Sequence, residues 1–268
     1  MLKNTLQRTR AGILRIASRN RKALRDVPPG LYEYWARSAP AEFPGIPTDA
    51  FFYARATDAL LTFFECMKRY RMPCALPSKA ADSVWHAWLR HDPAGLDAFC
   101  ERHYEQRIPH VEAAAMSGGM DLPLARCLVM ARTLDRQFLP GPDVPRLFAT
   151  DRKLRMPGGF GYRARRGLMV LSELDERGLA AGATRVPPGT DPWFLFEAGL
   201  IGGYDLDRWR LRYASQGGGT TGGGDRGGAG GSCGGDGSAG CDGGGNDGGG
   251  EGGGCGSSCG GCGGGGGD

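Results

Sequence analysis

A mainly α-helical globular domain with a disordered glycine-rich tail is the fold class this sequence predicts, and three observations predict it. Between about residues 49 and 138, apolar side chains recur at three- and four-residue spacing, the period of a buried helix face. Prolines and short polar caps cut that stretch into helix-sized pieces. The last fifty-two residues, 217–268, then hold thirty-one of the chain's 48 glycines and no aliphatic side chain larger than Ala. Glycine loses the most backbone freedom on ordering, and nothing in this tail offsets that loss. Three parts follow: a basic N-terminal helix over 1–26, a helical domain over 27–215, and a disordered Gly/Cys-rich tail over 216–268.

The first segment carries Lys3, Arg8, Arg10, Arg15, Arg19, Arg21, Lys22 and Arg25 before its first acid, Asp26. Leu6, Ile13, Ala17 and Leu24 give it a narrow apolar stripe, expected to pack on the domain. Pro28, Pro29 and Gly30 end it, and Pro40, Pro44 and Pro47 predict irregular chain up to Asp49. From Asp49 to Tyr70 the residues Phe52, Ala56, Ala59, Leu60, Phe63 and Met67 line one helix face. Ser78 caps a helix through about Leu89, and Asp92-Pro93 opens another to about Gln106, since Asp accepts from orphan amides and Pro suits the first helical position. A further helix spans roughly Leu122 to Phe138. Beyond Gly158 the pattern weakens: Leu168–Leu174 fits a strand or a helix start, and 193–200 is a short apolar segment.

The formal charge of +4 averages unlike parts. Six acids against Arg226 give the tail −5, so the head holds +9. A basic head accommodates protein partners, and residues 1–25 in particular suit anionic lipid or nucleic acid. No apolar run approaches a membrane span, and arginines interrupt every candidate secretory signal. The expected compartment is therefore the cytoplasm, where Cys66, Cys74, Cys100 and Cys127 stay reduced as small core residues.

All four histidines, His86, His91, His103 and His110, fall within twenty-five residues, with Cys100 among them. Imidazole and thiolate are the usual zinc and copper ligands, so His86 with Cys100 and His103 is one candidate metal set. In an antiparallel pair of straight helices, His110 lies beyond the far end, roughly 15–20 Å away. In the tail, Cys255, Cys259 and Cys262 form a second candidate set for zinc or copper(I), and metal affinity is expected to reside there more than in the histidines. The head, residues 1–215, holds no nucleophile elbow of the G-x-S-x-G type. Gly158-Gly159-Phe160-Gly161 lacks the lysine of a phosphate loop.

The run Leu76-Pro77-Ser78 through Asp82 to Trp85-His86 resembles the "LP…D..WH" signature of the glycine-rich domain-containing protein family, known from plants and from bacterial hypothetical proteins. Phe99-Cys100, His110, the segment Pro145–Asp151 and the run Gly158–Tyr162 match further motifs in order, and the cysteine-dotted tail fits as well. The resemblance covers about 73–165 plus the tail and is nearest the bacterial branch. It marks Asp82, Trp85, His86, Cys100 and His110 as motif residues. Trp88 departs from the plant pattern of a second histidine. The family brings a layout and no enzymatic activity.

The sequence thus reads first as a non-enzymatic binding or scaffold protein with a helical head. The alternatives are a metal-binding protein or metalloenzyme around His86, Cys100 and His103, and a peripheral membrane protein held by its basic N-terminal helix.

Overall fold

The computed structural model describes residues 2–111, 119–141 and 143–213; the tail, and with it Cys255, Cys259 and Cys262, lies outside the described residues. Among these residues the chain forms ten helices and one three-stranded antiparallel sheet, so it is mainly α.

The basic segment is two helices, α1 (Leu2–Ala17) and α2 (Arg21–Asp26), where one was expected. The break is a polar latch. Ser18 Oγ donates to Asp58 Oδ1 at 2.5 Å, and Asn20 Nδ2 donates to the Asp58 carbonyl at 3.0 Å and to its Oδ1 at 2.9 Å. Such side-chain bonds compete with helix continuation. The expected stripe is also corrected: Ala11 and Leu24 are buried, whereas Leu6, Ile13 and Ala17 face outward.

Helix α3 (Leu31–Glu42) replaces the irregular stretch expected from the prolines. Pro40 falls in its last turn and gives up the bond its N–H would make to the Ala36 carbonyl, while Leu31, Trp35 and Ala39 supply a buried face at four-residue spacing that holds the helix. Packing here overrides propensity.

The central helix α4 (Ala50–Tyr70) follows the sequence expectation closely, with Asp49 accepting from the amides of Phe51 and Phe52 at its start. Helices α5 (Lys79–His91) and α6 (Pro93–Tyr104) open on Ser78 and Asp92 as expected. Helix α7 (Asp121–Leu134) completes the group, and a short α8 (Thr150–Leu154) leads to the sheet. Trp35, Phe52, Phe63, Phe64, Trp85, Trp88, Phe99 and Phe148 fill the space between these elements.

Several helices end on a residue in the left-handed region that is not glycine: Arg71 after α4, Glu105 after α6 and Arg155 after α8. Each turns the chain sharply within one residue.

Strands β1 (Phe160–Arg165), β2 (Leu168–Leu174) and β3 (Ala180–Arg185) form a meander that the sequence left undecided. Arg166 and Gly167, both at positive φ, make the two-residue turn between β1 and β2, as hairpin twist requires. A side chain at Gly167 would meet the Tyr213 ring, and Trp209 Nε1 donates to the Gly167 carbonyl at 2.9 Å. These contacts come from α10 (Gly203–Tyr213), a helix the sequence did not suggest, which with α9 (Pro192–Glu197) packs on the second face of α7 through Leu195, Ile201 and Leu206.

Three separated motifs meet at one buried carboxylate. Asp151 Oδ1 accepts from Ser78 Oγ at 2.6 Å and from the Ala80 amide at 3.0 Å; its Oδ2 accepts from the amides of Lys79 at 2.9 Å and Phe160 at 3.0 Å. A Cβ at Gly159 would press on this carboxylate. Asp151 thus binds the start of α5 to α8 and β1, and it fixes the helix that carries the candidate site.

Candidate metal centre

Helix α5 has two working faces. Val84, Trp85 and Trp88 point into the core, where Trp85 meets Phe64 edge-on at 5.2 Å between ring centroids. Asp82 and His86, one turn apart, lie together on a half-buried face. Trp88 packs on Phe99 at 4.7 Å, so its side chain faces away from His86.

His110 comes to the same face, which corrects the separation expected from straight helices. Glu105, at φ 60°, ends α6 and reverses the chain, and buried Ile108 anchors the returning segment. The His110 ring then stands edge-on to both Trp85 and His86, each at 4.6 Å between centroids.

His110 Nε2 lies 3.1 Å from His86 Nε2 and 3.0 Å from Asp82 Oδ1, and His86 Nε2 lies 3.5 Å from the same oxygen. On its far side, His86 Nδ1 meets Glu42 Oε1, the last residue of α3, and Arg90 Nη2 holds Glu42 Oε2 at 2.5 Å. A carboxylate can only accept, so Nδ1 of His86 carries a proton, and in the neutral ring Nε2 presents a lone pair. His110 Nε2 and Asp82 Oδ1 face that lone pair. Either a proton on His110 Nε2, donated to Asp82 Oδ1, or a cation shared by all three atoms satisfies this arrangement.

The set fits a cation by size as well. Asp82, His86 and His110 offer one ligand atom each, all within 4.8 Å of one another. An ion about 2.0–2.1 Å from each atom would subtend roughly 90–120° between ligands at these separations, within the span of octahedral and tetrahedral geometry. The Glu42–His86 contact supplies the carboxylate that commonly orients a ligating imidazole. All three groups are 18–30% exposed, so one side of the cluster opens to solvent.

The other candidates are elsewhere. His103 Nε2 contacts Asp26 Oδ2 at 2.9 Å, and the His91 ring lies against Tyr34. Cys100 is buried, and burial pushes its thiol up to about 12, which disfavours the thiolate a metal needs. Among the described residues, His86, Cys100 and His103 do not converge; Asp82, His86 and His110 do. Glu42 carried no signal in the sequence, since it stands forty-four residues from His86 in a stretch that reads as irregular.

Comparison with family models, curated proteins and solved structures finds no match to this chain.

Proposed function

We propose that the head of this protein binds one divalent first-row metal ion at Asp82, His86 and His110, with Glu42 orienting His86. The observation that supports this most is the facing pair of Nε2 atoms at 3.1 Å with Asp82 Oδ1 beside them. Two imidazoles and a carboxylate suit zinc or iron(II) and are a poor set for copper(I), which prefers sulfur. Three protein ligands leave coordination positions on the exposed side, the pattern of a centre that takes up water or another oxygen ligand. A bound ion would lower the pKa of such a water and so create a nucleophile, which makes metal-assisted hydrolysis the reaction class to test first.

This reading ranks the head above the tail cysteines as the place of metal binding. The test is zinc titration by calorimetry, with metal content after dialysis, on the intact chain, a His110→Ala variant and a chain with Cys255, Cys259 and Cys262 all changed to Ser. One equivalent lost in His110→Ala and kept in the triple Ser chain supports the centre. Unchanged binding in His110→Ala together with its loss in the triple Ser chain moves the metal to the tail. If the intact chain takes up no metal, Asp82, His86 and His110 are a polar clasp holding the 105–111 segment on α5.

A further inference from the structure

Helix α1 is packed on one side and apolar on the other. Ala11 is buried against the body of the domain and Leu14 is half-buried beside it. Leu6, Ile13 and Ile16 are 59%, 62% and 76% exposed. At about 100° per residue these three share one stripe, roughly 150° around the helix from Ala11 and Leu14. Single exposed aliphatic residues are ordinary, but three on one helix face are a patch.

Cations border the stripe on both sides. Arg10 lies along one flank and Arg8 along the other, while Arg15 turns back toward Tyr32 and Tyr53. The helix contains no acidic residue, and α2 adds Arg21, Lys22 and Arg25 before Asp26. Beside the stripe, a groove lined by Arg10, Ile13, Leu14, Phe51, Arg55 and Lys153 joins α1 to α4 and α8. Arg10 lies over the Phe51 ring at 4.1 Å, and Arg55 meets Asp58 at a distant 4.0 Å. Burial lowers the Lys153 ammonium below its usual pKa, and the nearby Arg55, Arg152 and Arg146 lower it further. The groove therefore crowds positive charge where an anion would relieve it.

Charge sorts the occupants of this face. A second copy would bring a helix of the same sign against α1, with no acid to pair across the seam. A nucleic acid would satisfy the arginines and leave Leu6, Ile13 and Ile16 in water. A bilayer surface rich in anionic lipid meets both needs, taking the aliphatic stripe to the acyl boundary and the arginines to headgroup phosphates.

We infer that α1 is an interfacial helix that docks the protein on anionic membrane surfaces, with Leu6, Ile13 and Ile16 inserted and an anionic headgroup seated among Arg10, Arg55 and Lys153. This rests on residues separate from the metal centre and stands or falls independently of it. The Ser18–Asn20 latch to Asp58 sets the helix against the body, so the stripe is presented without unfolding.

The experiment is vesicle co-sedimentation of the full chain. Vesicles of phosphatidylcholine alone are compared with vesicles holding about 30% phosphatidylserine, at low and high salt. Binding is expected only to the anionic vesicles and should fall steeply as salt screens the charges. Arg8→Ala with Arg10→Ala should weaken partitioning about 25-fold, at about fivefold per cation. Ile13→Ser with Ile16→Ser should weaken it at least about tenfold, with thermal stability unchanged because neither side chain is buried. Circular dichroism on each variant separates lost docking from lost fold. Absence of binding to anionic vesicles at low salt overturns the inference. So does full binding by the Ile13/Ile16 variant, which would reduce the face to a charge patch. Displacement from vesicles by a short single-stranded RNA, with RNA affinity unaltered in the Ile13/Ile16 variant, would assign the face to nucleic acid instead.

Discussion

Replacing Asp151 with Asn tests whether one buried carboxylate holds α5 in place. The amide keeps the size of the side chain and one of its two acceptor oxygens. If that oxygen takes the Oδ1 position, Ser78 Oγ and the Ala80 amide keep a partner, while the new NH₂ points at the amides of Lys79 and Phe160, which stand at 2.9 and 3.0 Å. The opposite rotamer abandons the other pair. Either way two buried donors lose an acceptor that was charged, each worth about 1.5–3 kcal/mol. Part of this returns, because burial raises the Asp151 carboxyl against the pull of its four donors, and removing the charge removes that penalty. The net loss expected is about 2–4 kcal/mol, a large share of the about 5–15 kcal/mol available to an ordinary domain. Urea unfolding of the intact chain, followed by tryptophan fluorescence and by circular dichroism, measures it. Ser78→Ala alone and combined with Asp151→Asn should give a coupling energy of about 1 kcal/mol or more. A single-variant loss below about 0.5 kcal/mol, or zero coupling, would refute the view that the three motifs are tied at this point.

Three other outcomes follow from the same structure. Trp85→Ala should cost about 3–5 kcal/mol by melting, and it should also free the His110 ring that leans on the indole; an unchanged melting temperature would contradict the packing with Phe63 and Phe64. Glu42→Gln should weaken zinc binding about 10- to 100-fold with the fold intact, because a second-sphere acceptor loses its charge, and affinity in both proteins should fall with pH as protons compete for the imidazoles. Cys100 should resist iodoacetamide in the native state: with its thiol pushed up to about 12, only about one molecule in 10⁴ is thiolate at pH 8, and labelling mapped by mass spectrometry should appear only on unfolding. The sign of that shift also makes the fold weaken in alkali. The contribution of Cys100 is present below its ordinary value of 9.0 and is lost as pH rises through about 12.

Helix signals with a local cause were readable in the sequence. Ser78 and Asp92 each cap the helix they predicted, because the capping oxygen and the orphan amides lie within three residues of each other, and Asp49 caps the helix that the apolar stripe placed. Features set by distant contacts were not readable. Helix α3 forms around Pro40 because Trp35 is buried and donates to Ser83 Oγ at 3.0 Å, a partner forty-eight residues away. The metal candidate was half legible. The Asp82 and His86 spacing marks one helix face, but the return of His110 depends on a left-handed Glu105, a conformation that no local rule assigns to glutamate. The sheet was obscured because β3 is mostly exposed and built from small residues, so its alternation carries no hydrophobic signal.

The left-handed residues after α4, α6 and α8 carry a consequence for how the chain tolerates change. Glycine is the usual occupant of such positions, since a Cβ there costs roughly 1–2 kcal/mol. Arginine and glutamate at 71, 105 and 155 mean that the fold bears this cost at these three helix ends, as it does again at Arg136 and Arg166. In return, the unfolded chain has fewer conformations to lose at each one. These three turns are thus a reserve of untapped stability, and they offer places where a laboratory lineage can gain robustness while leaving the core and the cluster on α5 untouched.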